Sequence, residues 1–141
     1  MLEKAIIIAT KAHMGQVDKA GEVYILHPLR VMLSGKTEHE RICGVLHDVI
    51  EDSEITLEYL RKEGFSEEIL DALDALTRKS NESYDEFTER VIHNKLACHI
   101  KLADLNDNMN LSRIKNPTEE DYKRIEKYSK ASDRIIKRLK D

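Results

Sequence analysis

The sequence predicts an all-α protein. Apolar residues recur at three- and four-residue intervals, and no polar–apolar alternation persists long enough to mark a strand. Only 5 Gly and 2 Pro interrupt 141 residues. Thr37 and Thr56 stand just ahead of apolar-periodic runs, where a hydroxyl satisfies a free N–H of the first helical turn.

A first helix is expected over about Leu2–His13, with Ala5, Ile6, Ile8, Ala9 and Ala12 among its apolar positions and Gly15 after its end. Residues 14–26 read as a loop with a turn at Gly21-Glu22-Val23-Tyr24. Pro28 suits the first turn of a second helix, which runs to about Leu33 and stops at Ser34-Gly35. Thr37 and Glu40 have the spacing of a capping box, and the helix they open is expected to continue to about Glu51. Thr56 opens a short helix ending at Gly64, and Ser66 opens another carrying Ile69, Leu70, Leu73 and Leu76. After a loop at Arg78–Glu82, a helix from about Ser83 holds Phe87, Val91 and Ile92. Asn94 breaks it before the stretch Leu96–Met109, and Asn116-Pro117-Thr118 precedes a final helix over about Glu119–Lys140.

The length suits one compact domain, 1–141, with a real core. No run approaches the roughly 18 apolar residues of a membrane span. Met1-Leu2-Glu3-Lys4 lacks a signal-peptide layout, so a cytoplasmic location is the default. Cys43 and Cys98 do not form a CxxC pair, and their apolar surroundings suit buried free thiols. Net charge is −4. Residues 1–112 carry 13 basic and 21 acidic side chains, and residues 113–141 carry 10 and 6. An acidic body argues against a nucleic-acid partner. The basic tail, beside Ile125, Tyr128, Ile135 and Leu139, is expected to be a solvated helix face packed on the domain.

The most informative segment is Arg41–Asp52. There His47, Asp48, Glu51 and Asp52 interrupt an otherwise apolar helix beside Leu46, Val49 and Ile50. On a continuous helix Glu51 lies one turn beyond His47, and Asp52 one turn beyond Asp48. Leaving such charges buried and unpaired costs several kcal/mol each, on the order of known desolvation penalties, and a divalent cation removes most of that cost. Two further ligands are on offer. His27 sits at a loop-to-helix junction fixed by Pro28, although it could simply be a helix-start histidine. Asp104 is a charge inside another apolar helix, although it could pair with Lys101 on the surface. Asn108 is one turn past Asp104 and shares its face. Two imidazoles and two carboxylates suit Mn²⁺, Fe²⁺, Co²⁺ or Zn²⁺ better than Ca²⁺. Four protein ligands would leave positions open for water and a phosphate oxygen, the mark of a catalytic site. Glu51 and Asp52 could then orient the water or manage the proton on the leaving oxygen. There is no GxSxG elbow, P-loop, GxGxxG or paired CxxC framework.

With these residues assembled, the chain resembles the HD-type hydrolase domain of RelA/SpoT alarmone enzymes, in its small stand-alone form. The matching motifs run in order through Ala12-His13-Met14-Gly15-Gln16, Gly21–Pro28, Leu46–Asp52, Ala75–Lys79 and Lys101–Met109. The resemblance implies a helical HD-domain fold around a metal site and a manganese-dependent hydrolase that removes the 3′-pyrophosphate of guanosine tetra- or pentaphosphate. By matching position it implies His27, His47, Asp48 and Asp104 as metal ligands and Glu51 and Asp52 as the catalytic acidic pair. Lys19 falls at a phosphate-facing lysine, and Asn108 at an asparagine near the nucleotide sugar. No synthetase-like domain is expected after the last helix. The expected partner is a small-molecule nucleotide, with neither nucleic acid nor membrane, and the oligomeric state stays open.

Two positions depart from the pattern. Where the family commonly has Arg-Lys-Ser-Gly, this chain has Asp18-Lys19-Ala20-Gly21, and Asp18 cannot supply the planar cation that stacks on guanine. Leu105 follows the metal aspartate where the family often has arginine. An adenosine analogue, or another 3′- or 2′-phosphorylated nucleotide, is the alternative substrate. A non-catalytic nucleotide sensor is the third reading. A ligand of charge near −5 would need a local positive pocket, for which Lys19, Arg78, Lys79 and Arg113 are the candidates.

Overall fold

A computed structural model describes residues 1–141. The helices are α1 (Leu2–His13), α2 (Leu26–Leu33), α3 (Glu38–Leu46), α4 (Val49–Asp52), α5 (Leu57–Lys62), α6 (Glu67–Leu76), α7 (Tyr84–Ile92), α8 (Lys95–Asn108) and α9 (Glu119–Lys140). A 3₁₀ turn covers Leu111–Arg113, and one antiparallel bridge joins Val17 to Val23. No helix is long and apolar enough to cross a membrane.

Capping chemistry sets most of the helix starts. The side chains of Thr37, Thr56, Ser66, Ser83, Asn94 and Thr118 each accept from the backbone N–H three residues on. Full capping boxes form at Ser83/Glu86 and Thr118/Asp121. At Thr37 only half the expected box forms, because the Glu40 carboxylate turns to the Thr37 hydroxyl and the Lys36 N–H.

Helix α3 is the centre of the fold. Ile42, Cys43, Gly44, Val45 and Leu46 are all buried, and α1, α2, α6 and α8 pack around them. Gly44 permits the closest of these approaches. A Cβ there would stand 3.0 Å from the Cα and N of Met32, so α2 lies on α3 only because residue 44 has no side chain. Helix α9 lays Ala131, Ser132 and Ile135 against α7 and α8, with most of its basic side chains exposed, as the tail's pattern implied, and Arg124 and Arg134 half-buried. Cys43 and Cys98 are free and buried, and burial pushes the Cys43 thiol up to about 12, which suits inert core residues.

One boundary corrects the sequence reading. The helix expected to run through Glu51 breaks at His47-Asp48 and restarts as the single turn α4. Asp48 sits at φ −107°, ψ −3°, between the helical and extended regions. His47 Nδ1 lies 2.6 Å from the Gly44 carbonyl and competes for that acceptor of the helical ladder. The shared-face relation drawn for 47/51 from a continuous helix therefore fails, whereas the Asp52 N–H still donates to the Asp48 carbonyl at 3.0 Å and residue 52 stays one turn beyond residue 48.

Candidate metal centre and adjoining cleft

The four donors singled out in the sequence come from three helical segments and meet at one point. One ligand atom each from His27, His47, Asp48 and Asp104 lies within 4.8 Å of the others. His27 is in the first turn of α2, His47 and Asp48 occupy the α3–α4 break, and Asp104 is in α8. His27 Nε2 is 2.9 Å from Asp104 Oδ1 and 3.7 Å from Asp48 Oδ2. His47 Nε2 is 3.1 Å from Asp48 Oδ2 and 3.3 Å from Asp104 Oδ1. Metal–donor bonds of about 2.0–2.2 Å place neighbouring donors roughly 3–3.5 Å apart, so the set has the spacing of a coordination shell.

Both rings are fixed from behind. His47 Nδ1 donates to the Gly44 carbonyl at 2.6 Å. His27 Nδ1 meets Asp107 Oδ2 at 2.7 Å, and Asp107 is held in turn by Arg30 at 2.7 and 3.0 Å. Each Nδ1 facing an acceptor leaves its Nε2 pointing at the carboxylates. Lone pairs then face lone pairs, and the centre is electrically complete only with cations in it: protons on the rings, or a metal ion. Burial alone would keep His47 neutral, but the Asp48 and Asp104 charges hold its proton well above the usual histidine range. A divalent transition ion such as Mn²⁺, Fe²⁺, Co²⁺ or Zn²⁺ fits this mixed N₂O₂ donor set.

The carboxylates have their own supports. The Tyr24 hydroxyl donates to Asp48 Oδ2 at 2.5 Å. Lys101 Nζ donates to Asp104 Oδ2 at 3.0 Å, and Asn108 Nδ2 to Oδ1 at 3.1 Å. Burial opposes ionisation of Asp104, yet Lys101 and His47 outweigh it and hold the carboxyl well below its ordinary range. The Lys101–Asp104 pair weighed as a surface contact is thus real but buried, and it coexists with the cluster.

Glu51 and Asp52 are both exposed and lie outside the four-donor cluster, and Asp52 borders a groove against α1 with Lys4, Ile8 and Lys11. Glu51 Oε1 accepts the Arg78 N–H at 2.6 Å. Burial raises its carboxyl; the Arg78 N–H opposes this, and Asp48 and Asp52 add to it. Asp52 is raised by burial and then by Asp48.

A cleft of about 290 Å³ opens beside His27. Lys19 and Asn108 line it together, with Arg30, Arg113 and Arg124 adding cations and Tyr128 and Ile125 an apolar wall. Burial and the neighbouring Arg124 lower the Lys19 pKa. Arg78 and Lys79, considered for the same positive pocket, are not in its lining; Lys79 binds Asp74 at 3.0 Å instead. Asp18 also borders the cleft, but its Oδ1 accepts from Ala20 N and Glu22 N at 2.9 and 3.0 Å and so organises the turn. Leu105 is fully buried.

The sequence reading did not single out Tyr24, Arg30, Asp107 or Arg124. Asp107 alone left a signal, a further acid three residues past Asp104 in the same charged stretch.

No protein-family model matches the chain. Sequence relatives include the guanosine-3′,5′-bis(diphosphate) 3′-pyrophosphohydrolase of Borreliella burgdorferi, 43% identical over 79 residues, 53% of this chain and 12% of that protein. The GTP pyrophosphokinase of Streptomyces coelicolor is 31% identical over 125 residues, 79% of this chain and 15% of that protein. The bifunctional (p)ppGpp synthase/hydrolase SpoT of Escherichia coli is 32% identical over 124 residues, 77% of this chain and 17% of that protein. The chain thus spans less than a fifth of the length of these relatives. Among solved structures, a metazoan ortholog of SpoT that hydrolyses ppGpp superposes with a TM-score of 0.75 at 22% identity, covering 98% of this chain and 84% of that one. That likeness shows the all-helical fold.

Proposed function

Because the chain is a relative of the HD-type hydrolase domain of RelA/SpoT enzymes, we propose that it is a manganese-dependent hydrolase of guanosine tetra- and pentaphosphate. It releases the 3′-pyrophosphate and leaves GDP or GTP. The observation that carries this reading is the convergence of His27, His47, Asp48 and Asp104 within 4.8 Å, bordering a cleft lined by cations. These four residues would hold the ion. When bound, it supplies Lewis acidity toward the phosphoryl oxygens and acidifies water.

The chain's own groups do the rest. Lys19, with Arg113 and Arg124 beside it, offsets the substrate's negative charge in an otherwise acidic protein. Asn108, anchored on Asp104, presents its amide to the sugar side of the cleft. Glu51 has one oxygen occupied by the Arg78 N–H and the other free to orient the attacking water and take its proton. Asp52, the next carboxyl on the same turn, supplies a proton to the departing 3′-oxygen. The water oxygen ends on pyrophosphate, and the 3′-oxygen leaves as a hydroxyl.

One observation favours a second reading of the base. Asp18 is committed to its turn through Oδ1 and offers no planar cation, so an adenosine analogue with the same 3′-pyrophosphate is the competing substrate. Incubating manganese-reconstituted protein with the guanosine and adenosine 3′-pyrophosphates, and identifying products, tests both. Pyrophosphate with GDP is expected from the guanosine compound. Faster turnover of the adenosine compound would transfer the assignment, and turnover of neither would remove it.

A further inference from the structure

The Ala12–Gln16 motif has no part in the chemistry above, yet it reaches the site. Asp52 is the last residue of α4, and at Ser53 the backbone turns extended, φ −149° and ψ −175°. The Asp52 carbonyl therefore has no helical N–H ahead of it. Gln16 takes that place from across the fold: its Nε2 donates to Asp52 O at 2.9 Å, and to Ala12 O at 3.4 Å. Those two carbonyls fix which end of the amide is nitrogen. Gln16 Oε1 then faces His13 Nδ1 at 2.9 Å, and His13 must be the donor.

His13 is 2% exposed, and its Nε2 has no protein partner, so the bond to Gln16 is its one directional contact. Its ring packs on Tyr24 with centroids 5.0 Å apart. Tyr24 in turn holds Asp48 through its hydroxyl, and its backbone N–H donates to Gln16 O at 2.9 Å. The segment from His13 to Tyr24 thus grips both ends of the short stretch Asp48–Asp52, one by a phenol and the other by an amide.

We propose that Gln16, oriented by His13, is a positioning residue that fixes the backbone of Asp52 and so aims its carboxyl at the leaving oxygen. This rests on the reading of Asp52 as the catalytic acid. With the amide gone, α4 would end in an untethered carbonyl, and Asp52 would sample orientations unsuited to proton delivery.

The test measures kcat, KM, bound manganese and Tm with guanosine 3′,5′-bis(diphosphate) as substrate. Gln16→Leu is expected to lower kcat about tenfold to a hundredfold, the scale of a misplaced catalytic group, with KM and metal content unchanged. His13→Leu is expected to do the same, while His13→Asn, whose amide can donate from the position of Nδ1, restores most of the rate. In an Asp52→Asn background, Gln16→Leu is expected to add nothing further, because both changes remove one function. Additive losses, or full activity in Gln16→Leu, would overturn the proposal while leaving Asp52 as the acid. Full activity in Asp52→Asn would instead remove the premise and the proposal together.

Discussion

Asp107 joins two helix faces by binding His27 Nδ1 at 2.7 Å through one oxygen while Arg30 clasps the same carboxylate. His27 and Arg30 are three apart on α2, and Asp107 lies on α8, one turn from Asp104. The arrangement holds Asp107 ionised against its partial burial and fixes the tautomer of His27. Replacing Asp107 with asparagine, or Arg30 with alanine, is expected to weaken metal affinity about 10- to 100-fold without removing any of the four ligands. Competition against a chelator of known affinity measures this; unchanged affinity in both variants would show that the ring needs no such support.

Gly44 makes a second, purely steric demand. A methyl group 3.0 Å from the Met32 backbone must push α2 off α3, and α2 carries His27 while α3 leads into His47. Gly44→Ala is expected to destabilise the fold by about 1–3 kcal/mol, as overpacking does, and to weaken metal binding as well. Denaturant melts with and without manganese separate the two effects. A variant as stable and as metal-avid as the parent would mean that α2 does not sit as described.

Glu51 should matter for chemistry and not for metal. Its carboxylate is held by the Arg78 N–H and is not among the four converging donors. Glu51→Gln is expected to retain the ion yet slow turnover by about 10²-fold or more, the scale of acid–base catalysis. Elemental analysis alongside kcat decides this, and a fully active variant would remove Glu51 from the mechanism.

Acid sensitivity should report on the loop that carries Arg78. Arg90 bonds both oxygens of Glu82 and the carbonyls of Asp74 and Thr77, pinning that loop. Its guanidinium lowers the Glu82 carboxyl from 4.5 to about 2. A depressed carboxyl stabilises the fold above its unfolded value, and that contribution fades as pH falls from about 4.5 toward 2. The Tm difference between the parent and Arg90→Met should therefore shrink over that interval. A difference constant with pH would show that the Glu82 charge contributes nothing.

The helices were legible because their signals are local. Thr37, Thr56 and Ser66 cap the helices they were expected to cap, and the apolar spacing of α6 survives folding. His47, Asp48 and Asp104 stood out because charges in apolar runs need a partner, and His27 because Pro28 fixes it at a helix start. The break at 47–48 was not, since it arises from a side chain competing with the backbone for the Gly44 carbonyl. Tyr24 and Arg30 were hidden for a different reason: their residue types are unremarkable in place, and they hold the site's carboxylates on residues 24 and 77 positions away. Asp18 reads as a lost cation, and what the sequence did not reveal is that its carboxylate builds the turn.

The most direct test is a count of ions. Equilibrium dialysis of the protein against Mn²⁺, with parallel runs on Asp104→Ala and His47→Ala, measures how many ions each chain binds and how tightly. One tightly held ion per chain in the parent, lost in both variants, is the expected result. A parent that binds none, or variants that bind as well as the parent, would contradict the centre on which the proposed chemistry depends.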